Sequence, residues 1–170
     1  MEKVIKSQSG FTLIELVMVI VLIGILSYGA SSLFSSRDGF AGFIAKDQLI
    51  SSALLAQQVA LGMSATNDPV SLTVGVELVD GDNLWTFRLT KVNPSGSDFT
   101  LDPVTQDASG GNLDIDGVAI SAGASQTFTW NSQANLSDGA NHEIRFTGLR
   151  TYRVCLSSSG YAYESQVVCP

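Results

Sequence analysis

Four groups of residues in this chain have types and spacings that suit chemistry. Glu15 is a lone acid near the start of the apolar run FTLIELVMVIVLIGIL, which opens directly after Ser9-Gly10. Cys155 and Cys169 lie near the C-terminus, and His142 is the single histidine. Arg145, Arg150 and Arg153 follow His142 closely. Asp107, Asp114 and Asp116 gather among glycines in DASGGNLDIDG.

Each group has a bounded range of uses. Two cysteines and one histidine fall short of the four ligands of a structural zinc site. In a head outside the cytoplasm, Cys155 and Cys169 are simplest as a disulfide. It would close a loop of about 15 residues and contribute roughly 3 kcal/mol in the chain-entropy model. The three aspartates lack the spacing of an EF-hand loop, so 107–117 reads as a solvated turn rather than a calcium site. The chain carries a net charge of −7, a poor basis for holding nucleic acid by bulk electrostatics. The arginine cluster therefore reads as a solvated or acid-paired face, and strand alternation would point its members to opposite sides. No nucleophile elbow and no acid or histidine constellation suits catalysis. The expectation is a non-enzyme without metal or cofactor, and nucleic acid is a disfavoured partner.

The apolar run needs a different reading. Residues 16–34 carry no charge, close to the ~20 that cross a bilayer core. Lys3 and Lys6 precede them, as the cytoplasmic flank of a single-pass segment would. A removable secretory signal has a shorter apolar core, with its small-residue cleavage step after that core. Here the step Ser9-Gly10 comes before it. Glu15 weakens the span and has no evident partner in its own chain.

The string SGFTLIELVMVIVLIGIL resembles the type III signal of type IV pilins and of the pseudopilins of secretion systems. That resemblance implies cleavage between Gly10 and Phe11 by a prepilin peptidase, then N-methylation of Phe11 by the same enzyme family. It also implies that Glu15 faces the new N-terminal amine of a neighbouring subunit during filament assembly. An acid in a membrane helix costs up to a few kcal/mol, so it favours a partner that neutralises it. Gly24 matches the family's glycine. Ser32 stands where many pilins have proline, which puts the proline kink in doubt.

Helical spacing continues beyond Phe34. Phe40, Phe43, Ile44, Ile50, Leu54 and Leu61 recur at mostly three- and four-residue steps, among Arg37, Asp38, Lys46 and Asp47. Gly39 and Gly42 loosen the start of this stretch, Gly62 suits its stop, and Pro69 lies beyond. A helix from Phe11 to Leu61 would run about 75 Å at ~1.5 Å per residue.

The period then changes to two. VSLTVGVEL alternates as a half-buried strand, DGDN turns it, and LWTFRLTKV returns as its partner. NPSGSD marks a further break. More strands are expected over 113–120, 126–130, 143–147 and 152–156, with SSSG as a hairpin turn into YAYESQVV. Trp85, Phe87, Phe128 and Trp130 fit the strand period as core.

The fold class is therefore α+β: a long N-terminal helical spine packed on an antiparallel β-sheet head, which the resemblance marks as pilin-like. The expected organisation is a leader at 1–10, a transmembrane and filament-core helix at 11–35, an amphipathic half-spine at 36–62, and a β-rich head at 63–170 ending in a disulfide loop. The passage LISSALLAQQVAL into VSLTV also resembles the minor pilins and pseudopilins of the GspH and FimT kind. With the C-terminal cysteine pair, the chain looks like a minor pilin of the mannose-sensitive haemagglutinin (MSHA) type. The resemblance implies a structural subunit of an adhesive pilus, or one that primes pilus assembly. Its partners would be the prepilin peptidase, other major and minor pilins, and the inner-membrane assembly machinery. It would sit single-pass in the inner membrane, with a cytoplasmic N-terminus and periplasmic head, before joining an extracellular pilus. The alternatives are a minor pseudopilin of type II secretion and a pilus-tip module binding DNA or another ligand.

Overall fold

The computed structural model describes residues 12–34, 38–62, 69–92, 99–108 and 110–170. They divide into two units, Met1–Ser36 and Arg37–Pro170. In the first, α1 spans Leu13–Phe34. Leucine, isoleucine and valine fill its turns, and every described side chain from Thr12 to Ser27 is exposed. A helix apolar all round cannot satisfy that surface in water alone. Among the described residues, no helix is long and apolar enough to cross a membrane, so the membrane-spanning expectation for 11–35 rests on the sequence. The expected unbroken helix from Phe11 to Leu61 crosses residues 35–37, which lie outside the described residues.

Among the described residues, the second unit holds α2 (Asp38–Leu61) and ten strands. These are β1 (Val70–Val79), β2 (Asp82–Lys91), β3 (Phe99–Thr100), β4 (Val104–Asp107), β5 (Asn112–Ile115), β6 (Val118–Ile120), β7 (Ser125–Trp130), β8 (His142–Thr147), β9 (Thr151–Leu156) and β10 (Ala162–Ser165). They form two antiparallel sheets. One runs β3-β2-β1-β7, with β4 also paired to β2; the other runs β10-β9-β8-β5-β6. Alternation along the strands places Val70, Leu72, Val74, Phe87, Phe128 and Trp130 of the first sheet in the core, with Leu113, Ile115, Ile144, Phe146, Val154 and Leu156 of the second. Phe146 joins the two, with its ring centroid 5.1 Å from that of Trp85 and 6.0 Å from that of Phe87.

The helix turns a different face to this core than its large residues suggest. Its buried stripe is Ala41, Ala45, Leu49, Ala53, Ala56 and Ala60. Phe40, Phe43, Ile44 and Leu61 are exposed, and Ile50 and Leu54 are half-buried. The reason is volume. The sheets already contribute two tryptophans and several phenylalanines, and a close-packed interior then takes small side chains from the element laid against it. Gly42 belongs to the same close approach, since a Cβ there would lie 3.0 Å from Tyr152 Cδ2. It is therefore a packing residue, beyond any loosening of the helix start.

Lys46 is the one charge in this stripe, only 5% exposed. Its Nζ lies 2.8 Å from Glu164 Oε2 on β10 and 3.1 Å from Asp47 Oδ1, and 4.4 Å from the Phe43 ring centroid. Burial opposes its charge, but the two carboxylates outweigh this and hold its pKa above the usual lysine value. The pair fixes α2 to the edge strand β10.

Residues 113–120, expected as one strand, form the hairpin β5–β6, with Ile115 opposite Val118. Asp116 and Gly117 both have positive φ, 53° and 82°, the two-residue turn that Asp-Gly favours between antiparallel strands. Asp80-Gly81 makes the matching turn between β1 and β2. Strands β3 and β4 were not anticipated. β10 stops at Ser165, short of the expected YAYESQVV, because the chain then turns toward Cys155.

Candidate functional site

Two places bring together the chemistry-bearing residues. At the start of α1, Thr12 and Glu15 are joined three ways. The Thr12 N–H donates to Glu15 Oε2 at 3.0 Å, and the Thr12 hydroxyl donates to the same oxygen at 2.9 Å. The Glu15 N–H donates to Thr12 Oγ1 at 3.4 Å. This is a capping box, in which a threonine and a glutamate three residues on satisfy each other's end of the helix. The expectation that Glu15 has no partner in its own chain is corrected. Gly10 and Phe11 lie outside the described residues.

The second place is the corner where the C-terminal tail crosses the outer face of the β8–β9 sheet. Val154 and Leu156 point to the core, so Cys155 between them points away from it. It is bonded to Cys169, with the two Cα atoms 5.6 Å apart. Glu143, opposite Cys155 on β8, anchors the tail. Its Oε2 accepts from the Cys169 N–H at 3.2 Å, and its Oε1 lies 3.5 Å from Arg145 Nε and 3.7 Å from Arg153 Nε. Asn141 grips from the other side, donating to the Pro170 carbonyl at 2.7 Å and accepting from the Ser158 N–H at 2.7 Å. A cleft of about 420 Å³ remains beside the tail, lined by Asp116, Asn141, Glu143, Arg145, Val168 and Cys169.

His142 stands at the edge of this corner. Its Nδ1 is 2.6 Å from Asp116 Oδ2 and its Nε2 is 2.8 Å from Asp138 Oδ2. Burial disfavours the ring's charge, but the two carboxylates together raise its pKa above the ordinary 6.5. For Asp138, burial raises the pKa, but the Ala140 N–H and His142 outweigh it and hold the carboxyl below its usual range.

The structure assembles the basic cluster only in part, and pairs it with acid. Arg145 lies 3.0 Å from Asp114 Oδ1 as well as beside Glu143, and Arg153 lies beside Glu143 and donates to the Gln166 carbonyl at 3.4 Å. Arg150 is exposed in the β8–β9 loop, where it lines a small pocket together with Arg153 and Glu164. A cation already matched to acid has little field left for phosphate. The three aspartates of 107–117 are also dispersed. Asp107 ends β4 in the first sheet, Asp114 pairs with Arg145 in the second, and Asp116 holds His142 and the Glu143 N–H. Among the described residues, no group of three or more such ligands could hold a metal.

Sequence reasoning missed Thr12, Asp138, Glu143 and Glu164. The first carried a signal, because Thr-x-x-Glu before an apolar run is the capping-box pattern. Glu143 and Glu164 act through contacts between separate strands, or between β10 and α2, and had no local signature, whereas Asp138 meets His142 only four residues on.

Residues 5–30 match the family model of the prokaryotic N-terminal methylation motif. The matched stretch contains Gly10, Phe11, Thr12 and Glu15. No curated protein matches the chain significantly. Among solved structures, the chain is similar to the type IV minor pilin FimU of Pseudomonas aeruginosa, at 12% identity and a TM-score of 0.47, over 71% of this chain and 90% of that one.

Proposed function

We propose that this chain is a minor type IV pilin of the MSHA type, a structural subunit rather than an enzyme. In this reading, prepilin peptidase cuts between Gly10 and Phe11 and the new amine of Phe11 is methylated. The protein waits in the inner membrane as a single-pass subunit with a periplasmic head. It then enters, or primes, an extracellular pilus used in adhesion, held by other pilins through the α1 segment. Glu15 pairs there with a neighbour's terminal amine.

One observation carries the reading: the match of residues 5–30 to the methylation motif, with glycine, phenylalanine and glutamate at positions 10, 11 and 15. The geometry of the head is consistent with it. Arg145 and Arg153 lie against Asp114 and Glu143, and Glu143 also holds the tail.

Proteomics of sheared filaments tests the reading. The chain should be recovered there at low stoichiometry, beginning at methylated Phe11. Intact pili together with loss of secreted enzymes in a deletion strain would instead make it a pseudopilin of type II secretion. Absence from both filaments and the secretion apparatus would refute the structural role.

A further inference from the structure

Deprotonating the single histidine would undo a specific set of contacts. A neutral imidazole has one donor and one acceptor nitrogen. Both nitrogens of His142 face carboxylate oxygens, Asp116 Oδ2 at 2.6 Å and Asp138 Oδ2 at 2.8 Å, and an ionised carboxylate only accepts. The arrangement is satisfied in full when the ring carries both protons. When one is lost, a lone pair faces a carboxylate, and one of the two contacts must open.

The surroundings narrow this to two carboxylates. From β7 the ring meets Phe128, centroid to centroid 5.0 Å, and opposite it on β9 is Leu156. Glu143, next along β8, is committed to Cys169, Arg145 and Arg153. Among the described residues, Asp116 and Asp138 are the charged groups in contact with His142. The histidine side chain is only 11% exposed, so water poorly replaces a lost partner.

We propose that His142 is a pH-sensitive clasp, which while doubly protonated ties the β5–β6 turn to the loop before β8 and on deprotonation releases the corner that seats the C-terminal tail. Asp116, held by the ring, also accepts from the Glu143 N–H at 2.8 Å, and Asp138 accepts from the Ala140 N–H at 3.1 Å. Asn141 lies between Ala140 and the histidine and carries the contacts to Ser158 and Pro170. Loosening the Asp138 side therefore reaches the tail through one residue. The sign follows from the raised pKa. The clasp's contribution is full below 6.5 and is lost as pH rises through the folded value. The corner is tight in mild acid and opens toward alkaline pH.

Full-length protein in detergent micelles, labelled at histidine, tests this by NMR, since a single histidine leaves no other imidazole to overlap its titration. Its midpoint should lie above 6.5, and Asp138→Asn, at a half-exposed side chain, should move it down. Amide exchange at Ala140, Asn141 and Ser158, corrected for intrinsic pH dependence, should rise about tenfold or more across that midpoint. The rise should vanish in His142→Gln. A midpoint at or below 6.5, no shift in Asp138→Asn, or flat exchange through the midpoint would each overturn the clasp. So would an equal rise in His142→Gln.

Discussion

Thr12 and Glu15 cap the first turn of α1 on each other, with the Glu15 carboxylate accepting both the backbone N–H and the hydroxyl of Thr12 at 3.0 and 2.9 Å. The acid in the apolar run therefore has a local task, besides the one proposed for it between subunits. The two tasks make different demands. A cap needs an acceptor oxygen, and pairing with an amine needs a charge.

Substitution separates them. Glu15→Gln keeps an acceptor for Thr12 and removes the charge, whereas Glu15→Ala removes both. Both variants should be processed at Gly10, accumulate in the inner membrane and fall in sheared filaments. Breaking a buried pair costs ~3–5 kcal/mol, less where water reaches it. Thr12→Ala should lose only ~0.5–2 kcal/mol of helix stability and keep most of its incorporation. Normal incorporation of Glu15→Gln beside failure of Glu15→Ala would assign the acid to capping alone.

The proposed cut after Gly10 predicts that processing will depend on the small size of that residue. On the proposed scheme, Gly10→Ser should slow it, because the added side chain would crowd the peptidase at the scissile bond. The readout is the mass of the N-terminal peptide from membrane fractions. Filament-associated protein that still begins at Met1 would contradict the processing scheme.

Removal of the Cys155–Cys169 bond should lower stability by about 3 kcal/mol, from the chain entropy returned to the unfolded state. Cys169→Ser should show this as a lower urea midpoint with an equal or steeper slope, because the uncrosslinked chain unfolds to a less compact state. Intact mass after alkylation of native protein should show no free thiol in the wild type. Two alkylated cysteines would argue that the bond is absent in the cell.

Gly160 is held at a φ of +79°, and a Cβ there would strike the Ala134 carbonyl and lie 2.6 Å from Trp130 Nε1. The Trp130 indole N–H donates to the Gly160 carbonyl at 3.1 Å, in a buried site. Gly160→Ala should therefore cost more than the ~1–3 kcal/mol of backbone strain alone. Gly81→Ala is the control, with a φ of +94° and nothing within 4 Å of the new carbon. It should cost about the strain. Equal losses in urea unfolding would show that the Trp130 contact is not what fixes this turn.

Much of this protein was legible along the chain, because some physical signals are local. The apolar run and the position of Glu15 are properties of neighbours in sequence. So is the Thr12-x-x-Glu15 cap, although its meaning went unread. Alternation marked β1, β2, β7, β8 and β9, since a strand exposes every second residue to the same side. Two cysteines in one chain leave a single intramolecular pairing. The tertiary structure decided what period and spacing leave open: which distant surface covers each face. Helical spacing permitted either a phenylalanine-rich or an alanine-rich stripe of α2 to be buried, and the volume of Trp85, Phe87 and Trp130 chose the alanines. Asp-Gly at 116–117 turned an expected strand into a hairpin and thereby carried Asp116 to His142. The partners of His142 come from the β5–β6 turn and from Asp138, in the loop that leads into β8. Lys46 finds Glu164 118 residues away. Contacts of that range depend on how the sheets close on each other and on α2, a choice made by packing the whole core at once.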